Sequence, residues 1–239
     1  MKLIADCHLH TVASGHAYST ITEYAQEATE KGLELIAMTD HGPKMPGSCG
    51  IFHFDNLKVI PNNLYGVEIL KGMEANIIDY DGSLDTEHTD LSRLEVLIAS
   101  FHGGVCLPIS NKEENTKAII NSMKNRFVNV IGHPDDSRVE LDYGELAKAA
   151  ADYGVLIEVN NSSLKPGSFR LNAAENYEKL LEECQKYKVY IIINSDSHFH
   201  TDVGECDEAL ELVRKIKYPK ELIANANILR LKERLSLRR

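Results

Sequence analysis

Seven short apolar runs in this chain each break into polar residues at their carboxyl end, and at six of the seven the break holds His, Asp or Glu. Leu3-Ile4-Ala5 leads into Asp6-Cys7-His8-Leu9-His10, and Leu35 to Thr39 into Asp40-His41-Gly42. Val67 to Asn76 carries Glu74 near its end, Glu95 to Ser100 is followed by His102, and Val128 to Gly132 by His133-Pro134. Val189 to Ile193 runs into Asn194-Ser195-Asp196-Ser197-His198; the exception, Val155 to Val159, runs into Asn160-Asn161-Ser162-Ser163. Apolar runs of this length, bounded by turn residues, read as buried strands. Between them, helical patterns are expected at 20–31, 116–125, 143–153, 172–188, 205–217 and 222–234. Ser19 or Thr20 can cap the first of these helices, and Gly32 and Gly154 end the first and third. Strands alternating with helices predict an α/β protein with a parallel sheet. An open sheet spreads its strand ends along a line, whereas a closed barrel opens them all on one mouth. Ligand-type residues at so many strand ends therefore favour closure, with distortion expected from the long 43–63 loop.

A chain of 239 residues with 43 % hydrophobic composition can bury a sizeable core, and it is read as a single domain over 1–239. No window approaches a membrane span. One Lys and three apolar residues lead straight into Asp6, which does not read as a signal peptide. The cysteines, five in number at 7, 49, 106, 184 and 206, are scattered without a CxxC pair. Free thiols in a cytoplasmic protein are the expectation. The formal charge of −10 argues against nucleic acid as a partner, since that needs a basic surface. A homo-oligomer is left open.

His8, His10, His16, His41, Glu74, His102, His133, Asp196 and His198 are the candidate metal ligands. On a strand, residues two apart share a face, so His8 and His10 can hold one ion from the same side. Nine ligands exceed the four-coordinate geometry of a single zinc and suit three ions if one carboxylate bridges. Imidazole-rich donors suit zinc, with iron or manganese also compatible. Neighbouring ions lower the pKa of a shared water and clamp both oxygens of a phosphoryl displacement. Three divalent ions less the charges of Glu74 and Asp196 would leave the mouth at about +4, enough to draw a phosphate dianion to an acidic protein.

Asp6-x-His8-x-His10-Thr11, Thr39-Asp40-His41, the isolated Glu74, His102 and His133, and Ser195-Asp196-Ser197-His198 together resemble the polymerase and histidinol phosphatase (PHP) family. The resemblance covers nearly the whole chain. His-Thr-Val-Ala-Ser-Gly-His-Ala-Tyr-Ser at 10–19, Ile-Gly-His-Pro at 131–134 and Glu-Val-Asn-Asn-Ser-Ser at 158–163 look like its stand-alone bacterial branch of trinuclear zinc phosphatases. The HxH alone is weak; the set in this order is specific. The resemblance implies a distorted (β/α)7, TIM-like barrel. It implies that His8, His10, Glu74 and Asp196 hold one ion, that Glu74, His102 and His133 hold a second with Glu74 bridging, and that His16, His41 and His198 hold a third. A metal-bridging water, held with Glu74 and Asp196, would be the nucleophile, and the substrate a small phosphorylated metabolite. Rivals are a histidinol-phosphate phosphatase proper, a nuclease-like phosphodiesterase, an amidohydrolase and a metal-binding regulatory module without turnover. The strand ends offer Glu74 where an amidohydrolase commonly has a bridging Lys.

The other polar residues carry blander readings beside functional ones. A single strand-end His is usually a satisfied surface or core residue; the set makes His102 and His133 ligands. Asp6 and Asp40 are expected to orient histidines, and Cys7 to be a core thiol. Asn160 and Asn161 are either an ordinary turn or donors to phosphate oxygens. Arg170 and Lys165 share a loop where a basic side chain could meet the substrate anion. His53 is a candidate substrate contact, His200 an ordinary loop residue, and no general acid for the leaving group stands out.

Overall fold

The computed structural model describes residues 1–237. Its centre is a parallel sheet of β1 (Ala5–Asp6), β2 (Leu35–Met38), β4 (Val67–Asn76), β5 (Val96–Ser100), β6 (Val130–Gly132), β7 (Leu156–Asn160) and β8 (Ile191–Asn194), paired in that order. A two-residue strand, β3 (Asn63–Leu64), runs antiparallel on β4. The seven parallel strands match the seven apolar runs of the sequence. The helices are α1 (Ile21–Glu30), α2 (Ile51–Asn56), α3 (Lys112–Ser122), α4 (Tyr143–Tyr153), α5 (Asn161–Leu164), α6 (Ala173–Tyr187), α7 (Asp207–Lys215) and α8 (Ile228–Ser236).

Both faces of the sheet are covered, as parallel strands require. Ala5, Leu35, Leu70, Val96, Ile98 and Ile192 fill the interior, and Leu231 and Leu235 of α8 close one end of it. Outside, α3, α4, α6 and α7 pack on the sheet through residues such as Ile119, Leu146, Tyr177, Leu180 and Val213. On the other flank Tyr24, Ala25 and Ala28 of α1 meet Ile36 and Met38 of β2. Thr20 caps α1 in a reciprocal box with Glu23.

Between β8 and β1 the ladder gives way to side chains. One parallel bridge joins Leu9 to Ser197, with His10 N donating to Ser197 O at 2.9 Å. Asn225 fills the gap below: its amide donates to Ala5 O at 2.9 Å and to Ile193 O, and its Oδ1 accepts from Ile193 N at 3.2 Å. Asn194 Oδ1 accepts from Cys7 N at 2.9 Å, and the hydroxyl of Tyr24 donates to the carbonyls of His10 and Ser197. Asp6 joins the same seam, accepting from Ser195 N, Ser195 Oγ and Gly204 N. The sheet is thus nearly closed, and its distortion lies chiefly at this side-chain seam.

Three expectations shift. The loop 43–63 contains α2 and ends in β3. The helix expected from residue 116 begins at Lys112, capped by Asn111. The stretch 222–234 is two 3-10 turns followed by α8, which runs to Ser236. No helix among the described residues is long and apolar enough to cross a membrane.

Candidate metal centre

Eight of the nine candidate side chains meet at the carboxyl ends of the strands, and His16, in the turn after Gly15, adjoins them beside His41 and His198. Glu74, fully buried near the end of β4, stands in the middle. Its Oε1 lies 2.8 Å from His133 Nε2, 3.4 Å from His8 Nε2 and 3.4 Å from His102 Nε2. Its Oε2 lies 2.5 Å from His41 Nδ1 and 3.5 Å from His10 Nε2. Asp196 Oδ1 approaches His10 Nε2 at 3.2 Å, His8 Nε2 at 3.6 Å and His198 Nδ1 at 3.7 Å. His16 reaches the group through His41, Nε2 to Nε2 at 3.2 Å. Donor atoms close enough to share one ion come from His8, His10 and Asp196; from His8, Glu74 and His133; from His41, Glu74 and His102; and from His10, His41 and His198.

The donor set fits cations. His8 Nε2, His10 Nε2, His41 Nδ1 and Glu74 Oε2 are buried without a hydrogen-bond partner. His41 Nδ1 and Glu74 Oε2 approach closely, yet not in hydrogen-bond geometry. A native fold rarely leaves so many polar atoms unmatched in one place, and an ion among them satisfies them together. Two of the nine, His133 with φ 31° and Asp196 with φ 54°, occupy the left-handed region without being glycine. Such backbone persists only where the surroundings impose it.

The electrostatics follow from burial and crowding. Burial raises the Glu74 carboxyl, but the neighbouring His8, His102 and His41 outweigh it and hold it well below the usual carboxylate range. Asp196 is held low in the same way, chiefly by His8 and His10 against burial. Burial, helped by His41, depresses His10 to about 3, and burial with Arg170 depresses His133 to about 4. His8 goes the other way: burial lowers it, but Glu158, Asp196 and Glu74 raise it well above the ordinary value.

Behind the cluster lies a layer of buried polar side chains that fixes the rings. His8 Nδ1 meets Glu158 Oε1 at 2.7 Å, and the other carboxylate oxygen of Glu158 accepts from His133 N at 2.9 Å. His102 Nδ1 meets Asn76 Oδ1 at 2.7 Å; Asn76 in turn donates its N and Nδ2 to Asp85. Gly42 makes room for Asp85, because a Cβ there would come within 2.4 Å of its carboxylate. Asp40 acts on His10 through Ser14: Ser14 Oγ donates to Asp40 at 2.7 Å and lies 3.1 Å from His10 Nδ1.

Other expectations are corrected by these contacts. Asp6 orients no imidazole and instead binds the seam. Asn160 Nδ2 donates to Asp196 Oδ2 at 3.0 Å and to Glu158, so its amide is spent on a candidate ligand and not on substrate. Asn161 faces α7, donating to Glu208 and accepting from Ala209 N. In place of an ordinary turn, Asn161–Leu164 is a short helix capped by Asn160. His53 lies 3.2 Å from Asp40 and supports it from behind. Lys165 pairs with Asp202 at 2.8 Å. Arg170 lines the cavity over the cluster together with His133, Asp196 and His198. Glu158, Asn76, Asp85 and the buried Asp135 were not expected. Burial pushes the Asp135 carboxyl up to about 7 against the pull of Arg170.

The sequence matches the PHP domain family model over residues 6–196, which spans every candidate ligand but His198. The chain belongs to the PHP family. It is 46 % identical over 235 residues to a probable phosphatase of Thermoanaerobacter sp. (strain X514), covering 98 % of this chain and 95 % of the relative. It is 45 % identical over 228 residues to a probable phosphatase of Acetivibrio thermocellus, covering 95 % and 93 %. Among solved structures, histidinol phosphate phosphatase from Lactococcus lactis, crystallised with zinc, L-histidinol and phosphate, superposes with a TM-score of 0.67. That match covers 92 % of this PHP chain and 95 % of the other at 20 % identity, so what it shares with this protein is the fold.

Proposed function

We propose that this PHP-family phosphatase hydrolyses a phosphomonoester of a small metabolite at a centre of three divalent ions, with zinc favoured by the imidazole-rich donors. The observation that carries the reading is Glu74: a single buried carboxylate within 3.5 Å of nitrogens from five histidines, as a carboxylate shared between ions requires. His8, His10, Glu74 and Asp196 would hold one ion, Glu74, His102 and His133 a second, and His16, His41 and His198 a third. Bound divalent ions supply a water made nucleophilic at neutral pH and positive charge for the phosphoryl oxygens.

The chain's own residues do the rest. Glu158, Asn76 and the Asp40–Ser14 pair hold the rings of His8, His102 and His10 by their other nitrogens, so the ligands are aimed before substrate arrives. Asn160 does the same for Asp196. Arg170, at the cavity wall beside His133, is the side chain we assign to the substrate phosphate. Guanidinium geometry suits two phosphate oxygens at once. Asp135, Asp136, Asp196 and Asp202 share the cavity wall with Arg138 and Arg170, so bound cations would supply much of the positive charge that draws an anion there.

The test is hydrolysis of a panel of phosphomonoesters by metal-loaded protein, with and without chelator. Phosphate release that chelator abolishes and zinc restores supports the proposal. Tight metal binding with no release from any ester would make the protein a non-catalytic metal-binding module.

A further inference from the structure

The cavity over the cluster, about 630 Å³, is much larger than a phosphate group needs and falls in the range of small-molecule sites. One side is the candidate metal centre. Away from it, the loops after β5 and β6 build an apolar wall from Phe101, Val105, Ile109, Val139 and Leu141. This wall begins at the residue next to His102: a Cβ on Gly103 would touch Ile109 and Val139 at 2.8 Å, so the two side chains close directly over that glycine. Val105 is 56 % and Ile109 42 % exposed, an unfavourable display of branched apolar surface inside a concave site.

Two of the carboxylates that share the cavity are ion-paired. Asp136 is ion-paired with Arg138, and Asp202 with Lys165. Asp135 is fully buried with neither carboxylate oxygen hydrogen-bonded, and Arg170 acts on it only through space. At the rim the Phe169 ring, 69 % exposed, has the guanidinium of Arg138 at 5.5 Å and that of Arg170 at 5.2 Å.

We infer that the pouch between His102 and Val139 receives the leaving group of the substrate, and that this leaving group is a hydrocarbon-rich alcohol. The inference rests on the phosphatase reading above and adds the substrate class. A phosphate held beside His102 would have this wall as its nearest apolar neighbour, where the rest of the ester would lie. Apolar surface on the substrate then covers Val105 and Ile109, and the release of water from both supplies binding energy.

The experiment measures kcat/KM of the zinc-loaded protein on ethyl, butyl and hexyl phosphate, whose leaving alcohols differ in length and barely in acidity. Two esters matched to hexyl in length, 6-aminohexyl phosphate and sorbitol 6-phosphate, are measured beside them. The pouch predicts a rise approaching about fourfold per methylene, with hexyl phosphate ahead of both polar esters by roughly tenfold or more. Ile109→Ser, at a half-exposed position, and Val139→Asp should each flatten the length dependence, with metal content and circular dichroism recorded for both. Hydrolysis without length dependence, or a preference for the amino or polyol ester, would overturn the pouch and leave the phosphatase reading intact. Failure to hydrolyse any of the five esters at full metal loading would overturn the phosphatase reading itself.

Discussion

Glu158 Oε1 lies 2.7 Å from Nδ1 of His8, a contact between residues 150 apart in the chain that joins β7 to the residues just after β1. The carboxylate also accepts from His133 N and from the side chain of Asn194, so one buried acid fixes candidate ligands on two strands and the end of a third.

Glu158→Gln should therefore weaken the centre without emptying the core. The amide keeps the shape but cannot hold the His8 ring as a carboxylate does. Metal affinity or turnover should fall about 10–100-fold, the usual effect of losing a partner that orients a ligand. Metal titration and circular dichroism check this together; a folded variant with parental zinc affinity and rate would contradict it.

Asn225→Ala addresses the seam, well away from the ions. Ala5 O, Ile193 O and Ile193 N lose their partners at once. A loss of about 2–4 kcal/mol follows from buried backbone groups left unmatched. For a chain of this size that lowers Tm by about 5–15 °C, while the metal count per folded chain stays the same. Thermal melts of parent and variant give the answer.

Acid should destabilise the metal-free protein beginning near neutrality. His10 and His133 stand at about 3 and about 4 in the fold, against 6.5 when unfolded. Below about pH 6.5 the unfolded chain takes up protons that the fold refuses, so stability present above 6.5 is lost as pH falls toward 4 and 3. Glu74 and Asp196, also depressed, act in the same direction in the carboxylate range. His8 is raised and opposes them, contributing stability in acid that disappears as pH rises through its folded value. Asp135, raised to about 7, opposes them too, with stability in acid that is lost as pH rises through 7; between pH 6.5 and 4 the two depressed histidines are expected to set the sign. A Tm of chelated protein that climbs steadily from pH 6.5 to 4 would contradict this balance.

Arg170→Ala should raise KM and weaken inhibition by inorganic phosphate by about tenfold or more, the scale of one lost charge-assisted contact, with zinc content unchanged. Arg170→Lys should recover only part, because an ammonium cannot engage two oxygens in a plane. Unaltered phosphate inhibition in Arg170→Ala would remove this residue from the substrate site.

Eight of the nine candidate ligands stand out because each lies at the carboxyl end of an apolar run, where a titratable side chain has no structural reason to recur; His16, in the turn after Gly15, does not. Parallel strands follow from the same runs, and the barrel from the need to gather their ends. Glu158 was not legible as a ligand's partner. It sits inside β7 in a run that breaks into amides and hydroxyls, and its contact with His8 depends on how the sheet curls. Asn225 is hidden for the same reason, its amide reaching Ala5 O 220 residues away; Asp85 acts only nine residues back, on Asn76 of β4. Asp6 reads like Asp40, yet one binds the seam and the other reaches His10 through Ser14, a difference made by position in the barrel. The start of α3 was missed because its first turn, Lys112-Glu113-Glu114-Asn115, offers no apolar periodicity, although Asn111 and Glu114 carry a capping signal.

The central claim is that Glu74 is shared between ions in a centre of three. Zinc per folded chain, measured by mass spectrometry of the intact protein under native conditions while activity is titrated, tests it most directly. The account predicts that activity saturates as the third zinc binds, and that Glu74→Gln loses at least two of the three ions while remaining folded. Full activity with a single zinc per chain, or a Glu74→Gln variant that retains three, would contradict it.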